Sequence, residues 1–224
     1  MRTILDTTIG ELVNIDKMNK WLDRRDLAEW DTCDLWHGTL KAAHFQMVEL
    51  EPMVRTLRFA WYDEGADWAT THTFTWQLPY LQFLFCEPWF GVAASGKPYK
   101  LGKKLRMSPF PNTYESGMVC QDSARTVEEG IAIFFGSVFE APSSWWPCRQ
   151  FALVALDYPN EKEYPEEFFR DDKFCQKTAE LDLLQVKWKD IEPLGGRNNP
   201  FRKKDLTTIL PFLHHGFTDE YDFA

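Results

Sequence analysis

Between residues 35 and 98 the chain is broken into short runs by proline, glycine and acidic turn residues, and this punctuation constrains the fold more than any other feature. Leu35, Phe45, Met47 and Val48 precede Pro52, and Val54-Arg55-Thr56-Leu57-Arg58-Phe59-Ala60-Trp61-Tyr62 follows it. The partial alternation and the aromatic and β-branched content predict two strands over residues 35–62. Glu64-Gly65-Ala66-Asp67 reads as a turn. Thr71 to Trp76 alternates threonine with His72, Phe74 and Trp76, as an antiparallel strand with one wet face does. Pro79 ends that run. Leu81-Gln82-Phe83-Leu84-Phe85-Cys86 and Phe90-Gly91-Val92-Ala93-Ala94 read as two further strands, closed by Gly96, Lys97 and Pro98. The expectation is an antiparallel β-meander.

Helical spacing flanks it. Leu12, Ile15, Met18, Trp21, Leu22 and Trp30 recur at intervals of mostly three and four, which predicts an N-terminal helix over residues 10–30. Thr126-Val127-Glu128-Glu129 is a capping box, whose threonine oxygen and glutamate carboxylate satisfy backbone amides of a first helical turn. Val127, Ile131, Phe134, Phe135, Val138 and Phe139 then predict a short amphipathic helix over residues 127–139, ended by Ala141-Pro142-Ser143-Ser144. Phe151 to Leu156 is an apolar run that suits a buried strand or a buried helix. Residues 165–190 read as helical, with Phe168, Phe169, Phe174, Leu181, Leu184 and Trp188 as the inward set. Gly195 to Pro200 reads as a loop, and Thr218 to Ala224 as a mobile tail. The expected fold class is α+β: a domain over residues 1–140, then a helical extension over residues 141–224 packed on it or merged with it.

The chain has 224 residues, enough for a core without disulfide or metal support. Its aromatic fraction of 16%, with ten Trp and eighteen Phe, predicts a core and surface pockets built from large rings. The formal charge of −9 opposes general nucleic-acid binding. The basic stretches Lys97 to Arg106 and Arg202 to Lys204 are short and read as solvated surface. Five cysteines (Cys33, Cys86, Cys120, Cys148 and Cys175) are widely spaced without a Cys-x-x-Cys pair, so no zinc ribbon or thioredoxin-type motif is supported. That usage predicts a reduced, cytoplasmic chain. No run of 18 apolar residues suits a membrane span, and the N-terminus lacks the apolar run of a signal peptide.

The chemistry concentrates in Phe110-Pro111-Asn112-Thr113-Tyr114-Glu115-Ser116-Gly117-Met118-Val119-Cys120-Gln121-Asp122. A proline turn opens it, a glycine follows, and one cysteine is delivered with an asparagine eight residues before it and an aspartate two residues after. This segment resembles the active-site segment of E2 ubiquitin-conjugating enzymes, in which His-Pro-Asn is followed by a glycine, a hydrophobic residue, Cys, Leu and Asp. Pro111, Asn112, Gly117, Cys120 and Asp122 fall in register. Phe110 replaces the family histidine and Gln121 the usual leucine. The wider pattern, with Trp76-Gln77-Leu78-Pro79 before the motif and Phe134-Phe135 after it, is similar to bacterial and phage E2-like families such as PRTRC system protein B. The likeness is close over about a dozen residues and loose over residues 45–140. It implies a UBC-like α+β core with the N-terminal helix.

By this resemblance Cys120 would accept a ubiquitin-like protein as a thioester from an E1-like adenylating enzyme and pass it to an amine on a target protein. Asn112 would stabilise the oxyanion of the tetrahedral intermediate. No cofactor is needed, because the adenylating partner consumes the ATP. Each residue also has a plainer reading. A lone cysteine is commonly a small core residue, an asparagine after proline commonly bonds its own turn, and Asp122 more commonly bonds loop amides than tunes a thiol. The alternative function is therefore a non-catalytic E2-fold binding module or assembly component. A cysteine hydrolase would need a partner histidine, and His37, His44, His72, His214 and His215 lie in no recognisable protease context. Adjacent His214 and His215 read as exposed rather than metal-binding.

Overall fold

Proline shapes the centre of the molecule. Strands β2 (His44–Leu50) and β3 (Met53–Trp61) pair with β5 (Tyr80–Cys86) and β4 (Thr70–Leu78) respectively. Leu50 lies opposite Leu81, and Met53 lies opposite Leu78. The register is the same on both sides of the gap, so carried across it sets Pro52 opposite Pro79. Neither proline has an N–H to give to a ladder. One long antiparallel ribbon therefore breaks at its two facing prolines, and its halves go to different sheets. These observations come from a computed structural model that describes residues 1–8, 11, 43–61, 70–87, 89–100, 103, 105–110, 112–114, 117–121, 124–141, 180–191 and 193–194.

The first sheet has the order β1-β2-β5-β6, with β1 over Arg2–Thr8 and β6 over Trp89–Ser95. All its neighbours are antiparallel. The second sheet has the order β7-β3-β4-β8, with β7 over Phe139–Ala141 and β8 over Glu180–Asp182. Its two outer strands run parallel to their partners. Helix α1 spans Val127–Gly136 and is the one helix of its length among the described residues.

Alternation along the strands decides which side chains meet. In the second sheet Leu57, Phe59, Phe74, Trp76 and Leu78 are buried, while Thr56, Arg58, Thr71, Thr73 and Thr75 are exposed. In the first sheet every residue of β5 from Leu81 to Cys86 is buried, because both faces are covered. Leu81, Phe83 and Phe85 face a large core shared with the second sheet and with Val127 and Phe134 of α1. Leu84 and Cys86 face a second core with Phe45, Met47, Tyr99, Leu105, Met118 and Leu194. Each fully buried large apolar side chain contributes about 2 kcal/mol over its exposed state. Several rings of the larger core meet edge to face, as in Phe110–Phe134 at 4.8 Å and Phe59–Phe74 at 5.2 Å between centroids, while others such as Phe83–Phe90 stack.

The helix after the cysteine starts where the capping box places it. Thr126 Oγ1 accepts from the Glu129 backbone N–H at 3.2 Å. The Glu129 carboxylate reaches one residue further back and accepts from the Arg125 N–H at 2.7 Å. The helix ends at Gly136, short of the expected residue 139. Extended Ser137 bonds Ile133 through both its N–H and its hydroxyl, and Phe139 is drawn into β7 beside Phe59.

The structure corrects the expected fold class. The described residues are mostly strand, in two sheets with parallel outer pairs, and no UBC-like core with an N-terminal helix is shown. The single meander fails because the paired prolines send β3 and β4 into a separate sheet. The helical extension is also corrected where it is described. Residues 180–182 form β8 along β4, and 183–191 form turns. Leu181 and Leu183 are both buried, at the period of a strand. The expected helix over residues 10–30 lies outside the described residues except for Glu11, as do residues 151–156 and the first part of the 165–190 stretch. Strand β1 precedes residues 10–30. Among the described residues no helix is long and apolar enough to cross a membrane.

Candidate functional site

The outer edge of β6 holds the segment that carries Cys120. Val119 N–H donates to Phe90 O at 2.9 Å, and Val92 N–H donates to Gly117 O at 2.7 Å. Residues 117–119 thus extend the first sheet by a short rung, as a covering segment does on an exposed sheet edge. Met118 enters the smaller core and Val119 the larger one, which fixes the rung from both faces.

The segment then folds back on itself. Thr113 and Val119 form an antiparallel bridge, Tyr114 N–H donates to Met118 O at 2.8 Å, and Cys120 N–H donates to Asn112 O at 2.8 Å. Gly117 N–H closes the tip by donating to Tyr114 O at 2.8 Å. Glycine is required at that tip. Gly117 has φ of +89°, and a Cβ there would lie 2.7 Å from Leu194 Cδ1.

Asn112 and Cys120 consequently stand directly opposite each other across a two-stranded arm. Side chains of such a pair leave the same side, with Cβ atoms about 5 Å apart. Cys120 is exposed and reduced, and Asn112 is half-buried. The Asn112 Oδ1 is buried without a hydrogen-bond partner among the described residues, so its inner end is not occupied by a turn bond of the ordinary kind. The only donor this side chain has is its Nδ2 amide.

The base of the arm is held by packing. Phe110 is fully buried, with its ring 4.8 Å from Phe134 and 5.0 Å from Phe139 between centroids. The Thr113 hydroxyl donates to Phe110 O at 2.7 Å and lies 3.1 Å from Ser108 Oγ. Phe110, where the E2 motif has histidine, is thus an aromatic anchor. Gln121, where the motif has leucine, donates through Nε2 to Gly130 O of α1 at 3.4 Å. Pro111 and Asp122 lie outside the described residues. Of the residues singled out in the motif, Asn112, Gly117 and Cys120 are brought into one arm.

Two thiols in this sheet differ in kind. Cys86 is fully buried in β5, and burial, with a smaller contribution from Glu87, pushes its thiol up to about 12. It remains protonated at neutral pH and behaves as a small apolar residue. Cys120 is open to solvent. Among the described residues no imidazole or carboxylate bonds its sulfur, and no group of three or more His, Cys, Asp and Glu side chains could hold a metal.

A second polar cluster lies at the other end of β6 and was not anticipated. Glu49 in β2 is 2% exposed, on the face that also carries Phe45 and Met47. Its carboxylate accepts from Arg2 Nη2 at 2.6 Å, Gln82 Nε2 at 2.7 Å and the Tyr99 N–H at 2.7 Å. Gln82 Nε2 also reaches Ser95 Oγ, and that hydroxyl donates to Lys97 O. The network ties residues 95–99 to the centre of the sheet. The signal in the sequence was a single acidic residue at period two within Phe45-Gln46-Met47-Val48-Glu49. Comparison of the chain with family models, with curated proteins and with solved structures finds no match.

Proposed function

We propose that the chain is an acyl-transfer protein that uses Cys120 as its nucleophile, in the manner of E2-type conjugating proteins. The Cys120 sulfur attacks the carbonyl of an activated C-terminal glycine on a ubiquitin-like protein, supplied as an acyl adenylate or thioester by an E1-like adenylating enzyme. The C–O or C–S bond of the donor breaks, the leaving group departs as AMP or a thiol, and the thiol proton passes to water. An amine of a target protein then attacks the thioester, and the Cys120 thiolate is the leaving group. Both steps pass through a tetrahedral oxyanion, and a donor placed to meet it lowers the barrier. Asn112, opposite Cys120 on the arm, would supply that donor.

The observation that carries the reading is the pairing of an exposed thiol with Asn112 on one arm. It rests on this local geometry and on the motif, and not on the overall fold. The full burial of Phe110 and the contact of Gln121 with α1 favour a second reading, a non-catalytic module that binds a ubiquitin-like protein, since both departures from the motif serve packing.

The test is intact-mass spectrometry after exchange with a short peptide bearing a C-terminal Gly-Gly thioester, followed by addition of lysine. Wild type is compared with Cys120→Ala and Asn112→Ala. A reductant-sensitive adduct that requires Cys120 and discharges about 10- to 100-fold more slowly in Asn112→Ala is expected. An adduct that forms but discharges equally in both proteins removes Asn112 from the mechanism. No adduct on Cys120, while a free thiol control is acylated in the same tube, leaves the binding module.

A further inference from the structure

Beyond Cys120, the far end of the same strand borders a cavity of about 720 Å³. Half of the described residues that line it are cations: Lys97, Lys100, Lys103, Arg106 and Lys189. No carboxylate is among the described lining residues, although the chain as a whole carries 34 acidic against 25 basic residues. Lys189 comes from a turn more than eighty residues along the chain, so the cluster is made by folding and not by a basic run. Like charges gathered around a hollow repel one another and draw in counter-ions. A bound anion relieves that repulsion.

The walls are set in place before any ligand arrives. The segment Ser95 to Tyr99 hangs on the buried Glu49 network, which holds the Tyr99 N–H and, through Arg2, the Tyr99 carbonyl at 2.9 Å. Arg106 is locked between Ala94 and Pro193 by backbone bridges, and its Nη1 donates to Ile191 O at 2.5 Å. Burial works against the charge of Arg106, and the Asp190 carboxylate partly offsets that. Trp188 lies against Gly96 so closely that a Cβ there would meet its Cδ1 at 2.2 Å. The ring forms one wall of the hollow.

We propose that this cavity binds a small molecule carrying two or more phosphate groups, held by Lys97, Lys100, Lys103, Arg106 and Lys189. The volume lies in the range of ordinary small-molecule sites. A nucleoside di- or triphosphate and a bare polyphosphate share this chemistry, and they differ in whether a flat ring is present for Trp188. A hollow of this kind inside a chain of charge −9 does not suit a long polynucleotide, whose backbone would meet acidic surface outside it.

The test is isothermal titration of the full chain with inorganic pyrophosphate and, separately, with ATP without metal, at about 50 mM and about 300 mM salt. Two variants are compared, each removing two exposed positive charges. Lys97→Gln with Lys189→Gln removes charge from the cavity, and Arg58→Gln with Arg125→Gln removes it elsewhere. Saturable binding to wild type at or below about 1 mM, weakened about 10-fold or more in the cavity variant and within about twofold in the control, supports the site. Tighter binding of ATP than of pyrophosphate assigns a nucleotide, with the base on Trp188; equal binding assigns a bare polyphosphate. Absence of saturable binding at low salt, or equal loss in both variants, overturns the proposal. Circular dichroism of both variants establishes that the exposed substitutions leave the fold intact.

Discussion

Glu49→Ala gives the sharpest measure of how the first sheet is held. The carboxylate is 2% exposed and accepts three hydrogen bonds. Its loss has unequal consequences for the three donors. Arg2 has a side chain about half exposed, so its guanidinium returns to water and the ion pair itself counts for little. Gln82 Nε2 keeps Ser95 Oγ as an acceptor. The Tyr99 N–H, in a residue only 4% exposed, loses the acceptor it has in the sheet, and an unsatisfied buried donor costs about 1–3 kcal/mol. The weakened Gln82 bond and the lost side-chain packing add about 1 kcal/mol, while release from the desolvated carboxylate returns part of it. The expected net loss is about 1–3 kcal/mol, or about 2–12 °C in Tm for a chain of this size. Glu49→Gln separates acceptor from charge. Its carbonyl can face Tyr99 and Gln82 while its NH2 faces Arg2, which is free to swing into water, so a loss of about 1 kcal/mol is expected. Urea unfolding followed by tryptophan fluorescence, with an unchanged m-value, reads both. A Glu49→Ala protein within about 0.5 kcal/mol of wild type would refute the reasoning. A Gln variant as damaged as Ala would show that the charge, and not the acceptor, holds residues 95–99.

Four further outcomes follow from local features of the structure. The Cys86 thiol is raised to about 12 in the folded chain against about 8.5 in an unfolded one, so its contribution to stability is complete below about pH 8.5 and is lost as pH rises towards 12; Cys86→Ala should flatten the alkaline limb of a stability–pH curve, and an unchanged limb refutes the assignment. Iodoacetamide mapping at neutral pH should label Cys120 in the native protein and Cys86 only on unfolding, and native labelling of Cys86 would contradict its burial. Gly117→Ala places a Cβ at 2.7 Å from Leu194 at positive φ and should cost about 1–3 kcal/mol while loosening the Cys120 arm, seen as weaker amide protection at Val92 and Cys120; full protection would show that the tip adapts. Phe110→Ala should cost about 3–5 kcal/mol by urea unfolding, because its ring closes the contact between Phe134 and Phe139, and a loss below about 1 kcal/mol would mean that the arm is held by its backbone alone.

The strands were legible because their signals are local. Thr71 to Trp76 alternates with the pleat, and Leu81 to Cys86 is apolar on both faces because both faces are covered. The helix start was legible through Thr126 and Glu129 for the same reason. The division into two sheets was not. Pro79 was seen to end a strand, but its effect depends on Pro52 facing it across the ribbon, and that pairing exists only in the register. The stretch 180–190 misled because Leu181, Leu184 and Trp188 sit at helical spacing by coincidence, whereas Leu181 and Leu183 are the buried pair and β4 supplies the hydrogen bonds. In the candidate site the thiol, the asparagine and the glycine were legible as a spacing. That Asn112 and Cys120 face each other depends on the turn at Gly117, where the +89° backbone angle sets the return register. Lys189 joining the Lys97–Arg106 stretch was invisible, since nothing local connects positions so far apart.

The edge of β6 explains why both candidate sites lie where they do. An unpaired edge has to be covered, and here two separate segments cover it: residues 117–119 opposite Phe90 to Val92, and Arg106 opposite Ala94. Neither segment needs a helix or a full strand of its own, because β6 supplies the rigid partner and the two cores hold the side chains below it. What extends beyond the edge is then free to vary without cost to the core, as in other loops carried on rigid scaffolds. The same ladder fixes the distance between the sites. From Phe90 to Ala94 the strand rises roughly 13 Å, so an anion held at Arg106 cannot touch a thioester on Cys120. The two proposed activities should therefore separate in the variants: Cys120→Ala should leave phosphate binding unchanged, and the Lys97→Gln, Lys189→Gln protein should still be acylated. If instead loss of the cavity cations also slowed acylation of Cys120 by a neutral thioester, the two ends of β6 would form one site, and the ligand in the cavity would have to be long enough to span the edge.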